Sequence, residues 1–76
     1  MVITVYGPGS ARCYETERVV RNVLAELQHD ADLQKVTDYQ AMAAAGVMAT
    51  PAVAVDGVIK LSGRIPKREE VRAWLA

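Results

Sequence analysis

The chain has 76 residues, 51% of them hydrophobic, and its nine basic residues balance its nine acidic ones. That length holds one small core, so we expect a single domain over residues 1–76. The balanced charge excludes the broad basic field that nucleic acid or an anionic membrane would require. One cysteine excludes an internal disulfide, and no apolar run approaches the ~20 residues of a membrane helix.

The first third of the sequence predicts a strand and a long helix. Residues 2–6 are β-branched and apolar and end at a Gly-Pro-Gly turn, which is typical of a strand covered on both faces. A helix follows from Ser10 to about Gln28. Its predicted buried stripe, at helical spacing, is Thr16, Val20, Val23, Leu24 and Leu27. The same stripe passes through Cys13, so we expect Cys13 to point inward while Ser10 lies at the helix mouth.

The middle of the chain carries weaker signals. Residues 32–37 predict a short strand with Leu33 and Val36 as inward candidates. Thr37-x-x-Gln40 has the form of a capping box, and it predicts an alanine-rich helix over residues 39–45 that Gly46 would end. A loop then leads to Pro51.

The last third predicts a hairpin and a final helix. Strands at 52–55 and 58–61 flank Asp56-Gly57, a pair that favours a two-residue hairpin turn. Pro66 suits the first position of a helix whose inner stripe is Val71, Trp74 and Leu75. The element order is β-α-β-α-β-β-α. It predicts an α/β fold with a mixed four-stranded sheet and helices on both faces, the first two strands being parallel because a helix connects them.

The single cysteine closes a Ser10-x-x-Cys13 box at the start of the first helix. Local structure alone can explain both residues, because serine is a preferred helix N-cap and a cysteine on an apolar stripe is by default a small buried side chain. The box also has the form of a Cys-x-x-Cys redox motif in which serine replaces the first cysteine. A hydroxyl has nearly the shape of a thiol but cannot form a disulfide.

Three motifs together resemble the small thioredoxin- and glutaredoxin-like proteins of bacteria and archaea called redox-active disulfide proteins. The motifs are the Gly7-x-Gly9 turn running into the Ser10-x-x-Cys13 box, residues 46–51 ending in Thr50-Pro51, and the 56–57 hairpin followed by residues 62–66. The resemblance covers essentially the whole chain. It implies the thioredoxin fold and a cis Thr50–Pro51 bond beside the active site. Element order and the Thr50-Pro51 motif together predict strand order 2-1-3-4, with the third strand antiparallel to the first and the cis bond next to Ser10.

The resemblance also implies a redox-active centre in electron transport. Position 10 would supply the attacking thiolate, Cys13 would resolve the mixed disulfide, and Thr50 and Pro51 would bind substrate. Disulfide-containing proteins would be substrates and a thioredoxin-reductase-like protein would be the reductant, without cofactor or metal. The sequence departs from the family at Ser10, and at Gly9, where standard thioredoxins have tryptophan. Because exchange needs two thiols, the Ser-x-x-Cys form is expected to lack dithiol exchange.

Several alternatives stay open at this level. Ser10 is either an engineered Cys-to-Ser change or the residue of a natural variant. A different class of function is a redox-silent module that holds a peptide or thiol ligand in the Thr50–Pro51 groove.

His29 lies about 24 Å from Cys13 along a straight helix, too far for a shared metal. The first residues lack the regions of a signal peptide, and we expect a cytoplasmic monomer that binds neither nucleic acid nor membrane.

Overall fold

Seven elements follow one another in the computed structural model, which describes residues 1–76. The strands are β1 (Val2–Tyr6), β2 (Asp32–Val36), β3 (Ala52–Val55) and β4 (Val58–Ser62). The helices are α1 (Ala11–Leu27), α2 (Tyr39–Ala44) and α3 (Arg68–Leu75). The predicted element order is confirmed. None of the helices is both long and apolar enough to cross a membrane.

The four strands form one mixed sheet in the order β2-β1-β3-β4. β1 is parallel to β2 and antiparallel to β3, and β4 is antiparallel to β3. The predicted α/β fold and strand order are therefore confirmed. In the β1–β3 register Tyr6 is the partner of Ala52. Gly7 follows Tyr6 and Pro51 precedes Ala52, so the antiparallel register places Gly7 beside Pro51 at this end of β1 and β3.

One face of the sheet packs against α1 and α3. This core consists of Ile3, Val5, Val20, Val23, Leu24, Val53, Val55, Val71 and Leu75. Ala52 and Ala54 alternate with the two core valines of β3 and are equally buried, so β3 is covered on both faces. Met42 is the buried residue of α2. Burying these aliphatic side chains supplies roughly 1.5–3 kcal/mol each, which is how so small a chain stays folded.

Helix α1 follows the predicted stripe except at its last residue. Thr16, Val20, Val23 and Leu24 are buried, but Leu27 is 46% exposed, so its predicted burial is wrong. Leu27 occupies the final turn, directly before Gln28, which leaves the helix with φ 52°. The chain turns away at that point, and the side chain is left about half exposed. The buried hydroxyl of Thr16 donates a hydrogen bond to the carbonyl of Arg12.

Two predicted helix starts are shifted along the chain. The N-cap of α2 is Asp38 rather than Thr37, because the Asp38 carboxylate accepts a hydrogen bond from the Ala41 N–H at 3.0 Å. Pro66 is buried but lies before α3 rather than at its first position. The Glu70 carboxylate accepts a bond from the Lys67 N–H at 2.9 Å, and this contact starts the helix at Arg68.

The Asp56-Gly57 turn joins β3 to β4 and also contacts β1. Asp56 and Gly57 have φ values of 49° and 83°, the positive pair that a two-residue hairpin turn requires. The Asp56 carboxylate accepts a hydrogen bond from the Val2 N–H at 2.8 Å, and the Asp56 N–H donates to the Val2 carbonyl. The turn therefore fixes the start of β1.

Candidate functional site

Ser10 and Cys13 contact each other at the N-terminus of α1. The Ser10 hydroxyl accepts a hydrogen bond from the Cys13 N–H at 3.4 Å, as an N-cap does. The same hydroxyl donates to the Cys13 sulfur at 3.2 Å. The Ser10 side chain therefore both caps α1 and directly contacts the Cys13 sulfur through its oxygen.

The sulfur of Cys13 is buried, as its place on the helical stripe predicts. The residue is only 7% exposed and rests against Gly7 at the end of β1. A Cβ atom at Gly7 would overlap Cys13 Sγ, and it would lie 3.9 Å from the Cβ of Thr50. Gly7 is therefore the point where the helix mouth and the Thr50–Pro51 loop meet.

The Thr50–Pro51 peptide bond is cis, and Pro51 is buried. Its carbonyl accepts a hydrogen bond from the Gly63 N–H at 2.9 Å. The carbonyl of Gly63 in turn accepts a bond from Arg12 Nη2 at 2.9 Å. The structure thus brings the site residues predicted from sequence, Ser10, Cys13, Thr50 and Pro51, to one corner of the sheet.

The pKa of the Cys13 thiol is lowered from its ordinary value. Burial is the largest single effect and raises the pKa, because it disfavours the thiolate. The hydrogen bond from the Ser10 side chain, backbone hydrogen bonds at Gly9 and Ser10, and the charge of Arg12 act in the opposite direction and together outweigh burial. The sulfur is therefore poorly accessible yet stabilised as an anion.

A cavity of about 30 Å³ beside the sulfur is lined by Cys13, Tyr14, Glu17 and Lys35, among others. Lys35 Nζ lies 3.2 Å from Glu17 Oε1 and 5.2 Å from the centre of the Tyr14 ring. The hydrogen bond from Arg21, helped by Lys35 and opposed by burial, holds the pKa of Glu17 below its ordinary value. Glu17 is thus a paired carboxylate, which makes it a weak proton acceptor.

Apolar surface is exposed both at the start of α2 and on the loop before the cis bond. Met48 is 94% exposed and Tyr39 is 70% exposed. Together with Met42, Val47 and Thr50 they line an open groove of about 340 Å³. Large apolar side chains left in water beside a site are typical of surfaces that contact another molecule.

Two contributors to this corner, Gly7 and Arg12, are not predicted by the sequence. Gly7 was read as part of a turn, although its missing side chain makes room for sulfur; glycine directly after a buried strand was the available signal. Arg12 is exposed near the start of α1, and its type and position do not indicate which group it contacts. Its hydrogen bond to Gly63, 51 residues away, leaves no trace in local sequence.

Proteins of the thioredoxin-fold class have a mixed sheet with this strand order. In them a cysteine at the N-terminus of a helix lies beside a loop with a cis-proline. The geometry of Cys13, Gly7 and Thr50–Pro51 puts the chain in that class.

Sequence comparison assigns the family. The chain belongs to the family described as Thioredoxin domain, which it matches over residues 1–76. It is 37% identical over 76 residues to a protein named Thioredoxin from Methanothermobacter thermautotrophicus, covering 100% of this chain and 99% of that protein. It is 40% identical over 75 residues to a Thioredoxin from Methanocaldococcus jannaschii, covering 99% of this chain and 86% of that one.

Proposed function

We propose that this protein is a thioredoxin-like protein of the thiol–disulfide oxidoreductase type whose Ser-x-x-Cys form lacks dithiol exchange. The observation that carries the proposal is the 3.2 Å hydrogen bond from Ser10 Oγ to Cys13 Sγ. It supports the view that serine occupies the position of the attacking thiol in an otherwise intact site. Ser10 and Cys13 are the reactive positions, and Thr50 and Pro51 border the substrate groove.

The chemistry explains why one thiol is insufficient. In exchange, a thiolate attacks a substrate disulfide to form a mixed disulfide and releases one substrate thiolate; a second thiolate then attacks the mixed disulfide and releases the other. The hydroxyl of Ser10 has hydrogen bonds only to the N–H and sulfur of Cys13. No histidine or carboxylate contacts the hydroxyl, and a thiolate is a far weaker base than an alkoxide, so the hydroxyl stays protonated and does not attack.

Restoring a thiol at position 10 should restore the reaction. Residues 10 and 13 lie one helical turn apart, a spacing within disulfide reach. The helix N-terminus would favour the new thiolate by roughly 0.3–1 kcal/mol. In that dithiol form the protein would act as a single-domain cytoplasmic monomer. A thioredoxin-reductase-like protein would reduce it, and disulfide-containing proteins would be its substrates.

The test is reduction of insulin by dithiothreitol in the presence of the native chain, Ser10→Cys and Ser10→Ala, with a thiol count after mild oxidation. Ser10→Cys should accelerate insulin precipitation and lose two thiols on oxidation, while the other two proteins should do neither. Ser10→Cys combined with Cys13→Ser is the matched control for a lone thiol at position 10. If Ser10→Cys forms no internal disulfide and gains no activity, the redox assignment is wrong.

A second candidate is a redox-silent module that binds a peptide or thiol ligand at the Thr50–Pro51 groove. The exposed Met48 and Tyr39 beside Thr50 favour it. The groove would hold an extended segment against the backbone next to Pro51. Titration of isotope-labelled protein with an extended apolar peptide tests the idea: backbone shifts at residues 47–51 that vanish in Met48→Glu support it. Equal shifts in both proteins exclude this groove.

A further inference from the structure

We infer that Arg12 is a positioning residue that fastens the Ser10–Cys13 end of α1 to the Thr50–Pro51 loop through Gly63. The inference rests on the proposed function only in that this corner is the ligand site. Neither the fold nor the Ser-x-x-Cys box specifies how the start of α1 and the Thr50–Pro51 loop are held together.

Two hydrogen bonds make the connection. Arg12 Nη2 donates to the Gly63 carbonyl at 2.9 Å, and the Gly63 N–H donates to the Pro51 carbonyl at 2.9 Å. Gly63 has φ 88°, a conformation that glycine adopts at little cost. Gly63, in the β4–α3 connection, thus contacts both the first turn of α1 and Pro51, the residue directly before β3.

The charge pattern singles out Arg12 among the arginines. Each of the others pairs with a carboxylate: Arg18 with Glu15, Arg21 with Glu17, Arg64 with Glu70, and both Arg68 and Arg72 with Glu26. Arg12 has no carboxylate partner and donates to a backbone carbonyl instead. Its positive charge is therefore uncompensated, and it is held next to the residue that carries the thiol.

No other cation acts comparably on Cys13. On α1, the neighbouring Tyr14 and Glu17 line the cavity beside the sulfur, and on β2 Lys35 pairs with Glu17. The charge of Arg12 is the one side-chain charge that lowers the pKa of Cys13. Arg12 should consequently have two separable effects: its hydrogen bond restrains Gly63 and the loop, and its charge favours the thiolate.

Two substitutions separate these effects. Arg12→Met removes both the hydrogen bond and the charge, whereas Arg12→Lys keeps the charge with a different reach and donor geometry. Arg18→Met is the matched control, since Arg18 is exposed on the same helix and pairs with Glu15 outside the site. Two readouts apply to the protein with serine at position 10: amide hydrogen exchange at Gly63, and the pH midpoint of Cys13 alkylation.

Arg12→Met should speed exchange at Gly63 by roughly 2- to 10-fold, the factor that corresponds to one net hydrogen bond, and should raise the alkylation midpoint. Arg12→Lys should speed exchange as well but keep the midpoint near the native value. The inference is overturned if Arg12→Met matches Arg18→Met in both readouts, or if Arg12→Lys shifts the midpoint as far as Arg12→Met. Neither readout requires dithiol exchange. The role of Arg12 can therefore be refuted while the insulin assay supports the redox assignment, and the insulin assay can fail while the role of Arg12 is supported.

Discussion

Gly7 leaves open the space that the sulfur atom of Cys13 fills. The glycine directly follows β1, and the sulfur lies where a side chain at residue 7 would begin. Gly7 is also the one glycine of the chain without a positive φ, since Gly9, Gly46, Gly57 and Gly63 all have one. Steric room for sulfur, rather than backbone conformation, is therefore the reason for glycine at this position.

Gly7→Ala should destabilise the protein by roughly 1–3 kcal/mol, because the added methyl group overpacks the corner. Urea unfolding measures this cost. The matched background is Cys13→Ala, in which the overlapping atom is gone and the cost of Gly7→Ala should fall. A double-mutant cycle over the two positions isolates the contact. Equal costs in both backgrounds would show that something other than the sulfur requires glycine here.

Ser10→Ala should raise the pKa of Cys13, because it removes a hydrogen bond that stabilises the thiolate. The pH midpoint of Cys13 alkylation should therefore move upward. Loss of the N-cap should also cost about 1 kcal/mol of stability. Ser10→Thr keeps the hydroxyl and serves as the control, with a midpoint near that of the native protein. An unchanged midpoint in Ser10→Ala would remove Ser10 from the electrostatics of the site.

Alkylation of Cys13 by iodoacetamide at neutral pH should be slow in the folded protein and fast after denaturation. The thiolate is the reacting form and the lowered pKa increases its population, but with 7% of the residue exposed, access limits the rate. Mass spectrometry of timed samples in the presence and absence of urea measures both rates. Native labelling as fast as that of the unfolded chain would contradict the burial of the sulfur.

Glu70→Gln should lower the free energy of unfolding at neutral pH but not near pH 2. The hydrogen bonds from Arg64, together with the Lys67 N–H, lower the pKa of Glu70 from 4.5 to about 2. Because the folded-state pKa is the lower one, the stabilisation is fully present above pH 4.5 and is lost as pH falls through about 2.

Urea unfolding of Glu70→Gln and the native chain across this pH range checks the linkage. Glu69→Gln is the control, since Glu69 precedes Glu70 on the same helix turn and forms none of the chain's ion pairs. The difference in the free energy of unfolding between the unsubstituted protein and Glu70→Gln should decrease as pH falls. A difference of constant size would mean that the Arg64–Glu70 pair does not depend on the carboxylate charge.

The sequence predicts the fold well because its signals are local and agree with one another. Continuous apolar strands, a stripe leading to Cys13 and the Asp56-Gly57 turn each restrict one element, and the helical crossover sets the parallel pair. The errors lie at the ends of helices. Thr37 and Asp38 are both good caps, and only the contact to the Ala41 N–H decides between them. Leu27 has helical spacing, but burial also needs a neighbour to cover it.

The sequence predicts which residues lie together at this corner, but not the electrostatic balance at the Cys13 sulfur. Ser10, Cys13, Thr50 and Pro51 stand out as local motifs. The balance that lowers the pKa of Cys13 depends on the direction of one hydroxyl and of nearby N–H groups, which residue types do not specify. The bond from Arg12 to Gly63 joins segments far apart in the chain and ends on a carbonyl, which every residue possesses.

Because β1 lies between β2 and β3, its two edges pair with strands from the two halves of the chain. β1 is synthesised well before β3, and in a nascent chain that stops after α2 one edge of β1 has no partner. That edge belongs to an apolar strand, the kind of surface that recruits other chains. We therefore expect a fragment that contains only the first β-α-β unit not to fold on its own. The corner that holds Cys13 exists only once the hairpin that follows Pro51 has been made.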